Sequence, residues 1–156
     1  MLKPYDFILT KENFLFMVKN YEKIDGYILA LPKYAPFILA GIKFMGYTWQ
    51  MLGKEWSRIS NPLDANLSIP NNLIPYLNNY KLSEEGYIIK KKDIKKIFYA
   101  HQGIKQLLYE KSREQNNIRK HTKILIKLLK DLVGINNLGL TGSSLFRGEI
   151  DNFSDI

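Results

Sequence analysis

The chain has 156 residues, 46% of them hydrophobic, 24% charged and 13% aromatic, the profile of a globular protein with one ordinary domain or two small ones. Cysteine is absent, which excludes disulfides and thiolate metal sites and fits a reducing, cytoplasmic setting, and no apolar run reaches the ~18 residues a membrane span needs. The net charge is +8, and the excess is local: residues 87–133 hold 13 Lys/Arg against 4 Asp/Glu (+9), the rest 10 against 11 (−1), which points to a polyanion such as nucleic acid or a nucleotide and also fits a plain lysine-rich surface.

The first residues lack a charged segment followed by an apolar stretch, so no signal peptide is expected. Residues 6–10 (DFILT) and 14–21 (FLFMVKNY) read as strands flanking a short polar turn. Asp25-Gly26 is a hairpin dipeptide leading into a third strand, residues 27–34 (YILALPKY). In the second strand Phe14, Phe16 and Val18 share one face, and Leu15, Met17 and Lys19 the other. Both faces are largely apolar, so the strand is expected to be covered on both sides, in a β-meander.

Gly41 and Gly46 punctuate residues 41–52 (GIKFMGYTWQML), read as another strand or two. Trp49 and Trp56 are expected core anchors. Residues 53–86 read as loop-rich, with Pro62, Pro70, Pro75 and many Asn; a short helix is expected near Pro75. Residues 86–92 (GYIIKKK) read as a strand. From Asp93, a good N-cap, the pattern turns helical through IKKIFYAH, with a second helical piece over 102–111. Residues 112–117 (SREQNN) are a candidate linker.

The clearest helix spans 118–133, with Ile118, Leu125, Leu128, Leu129 and Leu132 as its apolar stripe and Gly134 at the C-cap position. Arg119, Lys123, Lys127 and Lys130 recur on its other side, placed to contact phosphates; the same spacing fits an ordinary wet face. His101 and His121 have no neighbouring ligand set and read as structural or surface residues.

After Gly134, Leu138, Leu140 and Thr141 suggest a short buried strand ending at Gly142-Ser143. A glycine there permits a sharp turn and close ligand approach, and Ser143 can cap the short helical piece that follows. Strand, Gly-Ser turn and helix start would present free backbone N–H groups to an anion. An acidic residue entering a strand beside such a site could hold Mg2+ against a nucleoside triphosphate. A second carboxylate two residues on would face the same side.

Leu140-Thr141-Gly142-Ser143, the eleven-residue spacer 144–154 and then Asp155-Ile156 resemble the signature of the DNA polymerase β-type nucleotidyltransferase superfamily. That signature is an apolar residue, Gly, Gly or Ser, a spacer of this order, then Asp-apolar-Asp/Glu-apolar. The first thirty or so residues also resemble the start of archaeal predicted nucleotidyltransferases that carry a β-rich N-terminal domain. The resemblance implies an α+β fold: a β-rich domain with a helical end (1–111), the linker (112–117), and the start of a nucleotidyltransferase palm (118–156). It implies Mg2+- or Mn2+-dependent transfer of a nucleoside monophosphate from NTP to a hydroxyl. In it Asp155 is the catalytic metal ligand, Gly142, Ser143 and Ser144 bind nucleotide, and Arg147 stands near the phosphates or is a surface cation.

The family pattern continues with a second carboxylate after the residue matching Ile156, and a third beyond. Residues 1–156 contain neither, and Glu149-Ile150-Asp151 stands too close to Ser143 to replace them. The chain therefore reads as ended inside the motif, with no NTP turnover expected from these residues alone. Two other readings stay open: a nucleic-acid-binding module using 87–133, and a protein-interaction module in which an exposed strand pairs with another chain. No membrane partner is expected, and the oligomeric state is not specified by the sequence.

Overall fold

The apolar runs at the start of the chain build an antiparallel sheet. A computed structural model describes residues 2–24, 27–44, 46–59, 69–111 and 117–146, the side chains of 20–24 excepted. Strand β1 (Phe7–Thr10) pairs with β2 (Leu15–Ile24), with Phe7 opposite Met17. Strand β2 pairs with β3 (Tyr27–Pro36), and Ile24 opposite Tyr27 brackets Asp25-Gly26, which itself lies outside the described residues. The long β3 is shared along its other edge. Its first part pairs with β7 (Gly86–Lys90), and Tyr34, Ala35 and Pro36 pair with β5 (Lys54–Arg58). Strands β4 (Trp49–Met51), β6 (Lys81–Ser83) and β8 (Ile94–Phe98) join β5, β7 and β1 respectively. The fold class is α+β, as the sequence suggests.

The core of this sheet is aromatic. Phe7, Phe14, Leu15 and Phe16 are fully buried, so both faces of β2 are covered where its pattern is apolar on both. Each such side chain contributes about 2 kcal/mol of burial. Tyr80 and Tyr87 meet Phe16 edge-on, with ring centroids 5.3 and 6.0 Å away. Trp49 and Trp56 are core anchors as expected, and Trp56 Nε1 donates to Met51 O at 2.7 Å. The short helix near Pro75 is present as α2 (Ile74–Leu77), after α1 (Phe37–Ala40) and a 3-10 turn over Asn71–Leu73.

Two expectations are corrected in this region. Residues 53–86 are not all loop, since β5 and β6 form there; residues 60–68, with Pro62, lie outside the described residues. Residues 94–98 form β8 rather than a helix capped by Asp93. Ile97 and Phe98 pair with Ile8 and Phe7, and the Asp93 carbonyl accepts the Lys11 N–H at 3.0 Å. An available sheet edge overrides a helical spacing that spans little more than one turn.

The chain divides into two compact units, Met1–Phe98 and Tyr99–Ile156. The second holds α3 (Ala100–Tyr109), α4 (Asn117–Val133) and the one-turn α5 (Gly142–Leu145). This division falls ahead of α3; of the expected linker 112–117, residues 112–116 lie outside the described residues. Ile104 and Leu107 of α3 pack with Ile126 of α4 and with Leu140. Gly134 closes α4 as expected: its φ is +77°, and its N–H donates to Lys130 O at 3.0 Å.

The buried face of α4 differs from the expected stripe. Ile118, Arg119, Thr122 and Ile126 are buried, while Leu125, Leu128 and Leu132 are 41%, 67% and 79% exposed. An ion pair that draws Arg119 inward sets the face that packs.

Candidate functional site

The Gly-Ser segment of the second unit is positioned by close packing on α3. Gly103 and Ala100 are small residues on α3. A Cβ on Gly103 would stand 2.7 Å from Leu145 Cδ1 and 3.1 Å from Leu140 Cβ, and one on Gly139 would stand 3.0 Å from Ala100 Cβ. Glycine at both positions lets the segment lie this near without displacing its neighbours. The Leu140 N–H donates to Ala100 O at 2.9 Å. Residues 138–141 are thus not the expected strand: the Leu140 amide is used on a helix, not on a ladder.

At the turn, Thr141 is extended (φ −132°, ψ −178°), Gly142 takes φ +61°, and one helical turn follows. The N-cap is Thr141, not Ser143, because the helix starts two residues earlier than the sequence suggests. The Ser143 carbonyl accepts the Phe146 N–H at 3.0 Å, and Ser144 is buried. A positive φ costs a non-glycine residue about 1–2 kcal/mol, so the turn selects glycine through its backbone.

Arg119 sits behind this turn. Its Nε donates to Glu110 Oε2 at 2.8 Å and its Nη1 to Ser144 O at 2.8 Å, with both side chains of the ion pair almost wholly buried. Lys123 Nζ donates to Glu110 O at 2.6 Å, where α3 ends. Arg119 is therefore not on the wet face, and its guanidinium is held by protein groups. Its role is to tie α5 to the end of α3. Lys123 is half-buried and tied to the same place, whereas Lys127 and Lys130 are exposed on α4. The structure brings Arg119, Lys123 and Ser144 together through Glu110, a residue no sequence pattern singles out.

Arg147, Glu149-Ile150-Asp151, Ser154 and Asp155 lie outside the described residues. Among the described residues no group of three or more His, Cys, Asp or Glu side chains would hold a metal. His101 and His121 are exposed. Among the same residues no helix is long and apolar enough to cross a membrane. Comparison of the chain with known protein families, with curated proteins and with solved structures gives no match.

Proposed function

We propose that the second unit is the opening part of a nucleotidyltransferase palm and that Gly142, Ser143 and Ser144 carry the phosphates of an NTP. The observation that supports this reading most is the backbone at Gly142: extended, then left-handed, then helical, on a segment fixed from behind by Arg119. That sequence of conformations turns successive N–H groups toward one side, as anion-binding nests do. Arg119 and Glu110 act here as positioning residues. The metal part of the reading rests on Asp155 in the sequence: Mg2+ or Mn2+ held there would neutralise charge on the triphosphate.

Within residues 1–156 the acidic half of the motif is represented by Asp155, so binding is the informative readout. In equilibrium dialysis with labelled NTP, Gly142→Val and Asp155→Asn should each weaken binding roughly tenfold or more. A Cβ at Gly142 meets no atom within 4 Å, so the Val effect would report the turn rather than a clash. Equal binding by all three proteins contradicts the proposal.

A second reading has its own support. Lys91, Lys92, Lys95, Lys96, Lys120, Lys127 and Lys130 are exposed, as a nucleic-acid-binding module requires. RNA or DNA binding that falls steeply with salt supports it, and a flat salt response argues against it.

A further inference from the structure

Strand β3 runs straight into α1, and the junction leaves apolar side chains in water. All four residues of the turn, Phe37–Ala40, are apolar, yet Ala40 alone is buried. Phe37 and Leu39 are half-buried, and Ile38 is 90% exposed. The turn is held at both ends, so it does not withdraw them by unwinding. Pro36 pairs with Trp56 in the ladder. Gly41, at φ +64°, closes the turn with its N–H on Phe37 O at 2.7 Å. Asn72 Nδ2 donates to Leu39 O at 2.8 Å and to Ala40 O at 3.3 Å.

Pro36, Phe37, Ile38 and Leu39 line an open cavity of about 530 Å³, a volume in the range of small-molecule sites. The rest of its lining is polar: Asn13, Lys54 and Glu55. Asn13 takes φ +64° in the turn between β1 and β2, a conformation that asparagine tolerates. Its Oδ1 accepts from Lys95 Nζ at 3.1 Å, and its Nδ2 donates to no described residue. Glu55 Oε1 accepts from Thr48 Oγ1 at 2.6 Å, which steadies the carboxylate. The Lys54 ammonium has no hydrogen bond or ion pair with a described residue. A ligand with a carboxylate alone would meet the charge of Glu55, and one with an ammonium alone that of Lys54. A ligand carrying both charges on an apolar body matches the whole lining.

We propose that this cavity binds a small zwitterion with apolar side chains, of the class of apolar amino acids and their dipeptides. Lys54 and Asn13 receive its carboxylate, Glu55 its ammonium, and Phe37, Ile38 and Leu39 its apolar part. The site lies wholly in the first unit and does not depend on the nucleotide reading of the second.

The test titrates the full chain with leucyl-leucine, with leucine, and with N-acetyl-leucine amide, which keeps an apolar side chain and carries neither charge. Backbone amide resonances and affinity are the readouts. Leucyl-leucine is expected to give saturable shifts at Phe37, Ile38, Leu39, Lys54 and Glu55, and the uncharged probe to bind roughly tenfold more weakly. Lys54→Gln and Glu55→Gln should each weaken leucyl-leucine binding roughly tenfold. Both variants should fold, since Lys54 is exposed and the glutamine oxygen at position 55 still accepts from Thr48. Tighter binding of leucyl-leucine than of leucine assigns a peptide as the ligand, and equal or tighter binding of leucine assigns a free amino acid; both support the site. No saturable shift at these amides, an uncharged probe that binds as tightly as leucyl-leucine, or unchanged binding by either variant would overturn it.

Discussion

Two buried cations, one paired and one not, make opposite predictions. Arg119 is paired with Glu110 in a dry environment, so removing one partner strands the other charge. Arg119→Met or Glu110→Gln should each cost about 3 kcal/mol in denaturant unfolding, and the Glu110→Gln/Arg119→Met double variant less than the sum. Strict additivity would mean that the pair is not coupled. Lys33 of β3, buried without a partner among the described residues, behaves in the other sense. Burial, and then the charge of Arg58, lower its pKa, so the folded form loses the proton near pH 8 and the unfolded chain near 10.5. Between those values the unfolded state holds more protons, and stability rises with pH. The gain should be on the order of 2 kcal/mol after allowance for solvent access, and absent in Lys33→Met. Burial pushes the Tyr34 phenol up from 10.0 to about 12, so above pH 10 stability should fall again, and Tyr34→Phe should remove that part of the fall. A stability curve that is flat from pH 8 to 10 would contradict the assignment of Lys33.

At the scale of elements, the packing of residues 138–145 on α3 hangs on Gly103. Gly103→Ala brings a helix-propensity gain of about 1 kcal/mol, against an overpacking cost of about 1–3 kcal/mol from Leu140 and Leu145. A net loss of about 1 kcal/mol is expected, and Gly103→Val should lose more. An Ala variant more stable than the parent would show that the segment is free to shift. Gly103 also shows how far the sequence can be read. The strands over 6–10, 14–21 and 27–34, the short helix at Pro75, the long helix and its glycine cap are legible, because period and capping are local. Strand β8 is not, since its spacing is helical and only the open edge of β1 decides it. The buried face of α4 is not legible either. Hydropathy favours Leu125, Leu128 and Leu132, yet the Glu110 partner that turns Arg119 inward is remote from any motif. At the candidate site, Gly142-Ser143 is visible as a motif, while the residues that fix it, Arg119 and Gly103, read as a wet-face cation and an unremarked helix glycine. Lys33 has a faint signal, a lone cation in an apolar strand, but the β-bulge that makes it the extra residue between Pro32 and Tyr34 exists only in the pairing with β2.

For the whole molecule, two units with separate cores should respond separately. Arg119→Met is expected to lower hydrogen-exchange protection in α3 and α4 and leave that of β1, β2 and β3 unchanged; loss of protection throughout would mean that the units unfold as one. The same separation gives the clearest test of function, since the proposed nucleotide site and the cavity beside α1 lie in different units. The most direct measurement is a titration of residues 1–156 with ATP, GTP, CTP and UTP in the presence of Mg2+, followed at the backbone amides. The account predicts saturable shifts at Gly142, Ser143 and Ser144 for at least one nucleotide, weakened by Asp155→Asn. Amides at Gly142, Ser143 and Ser144 that do not respond to any of the four would contradict it.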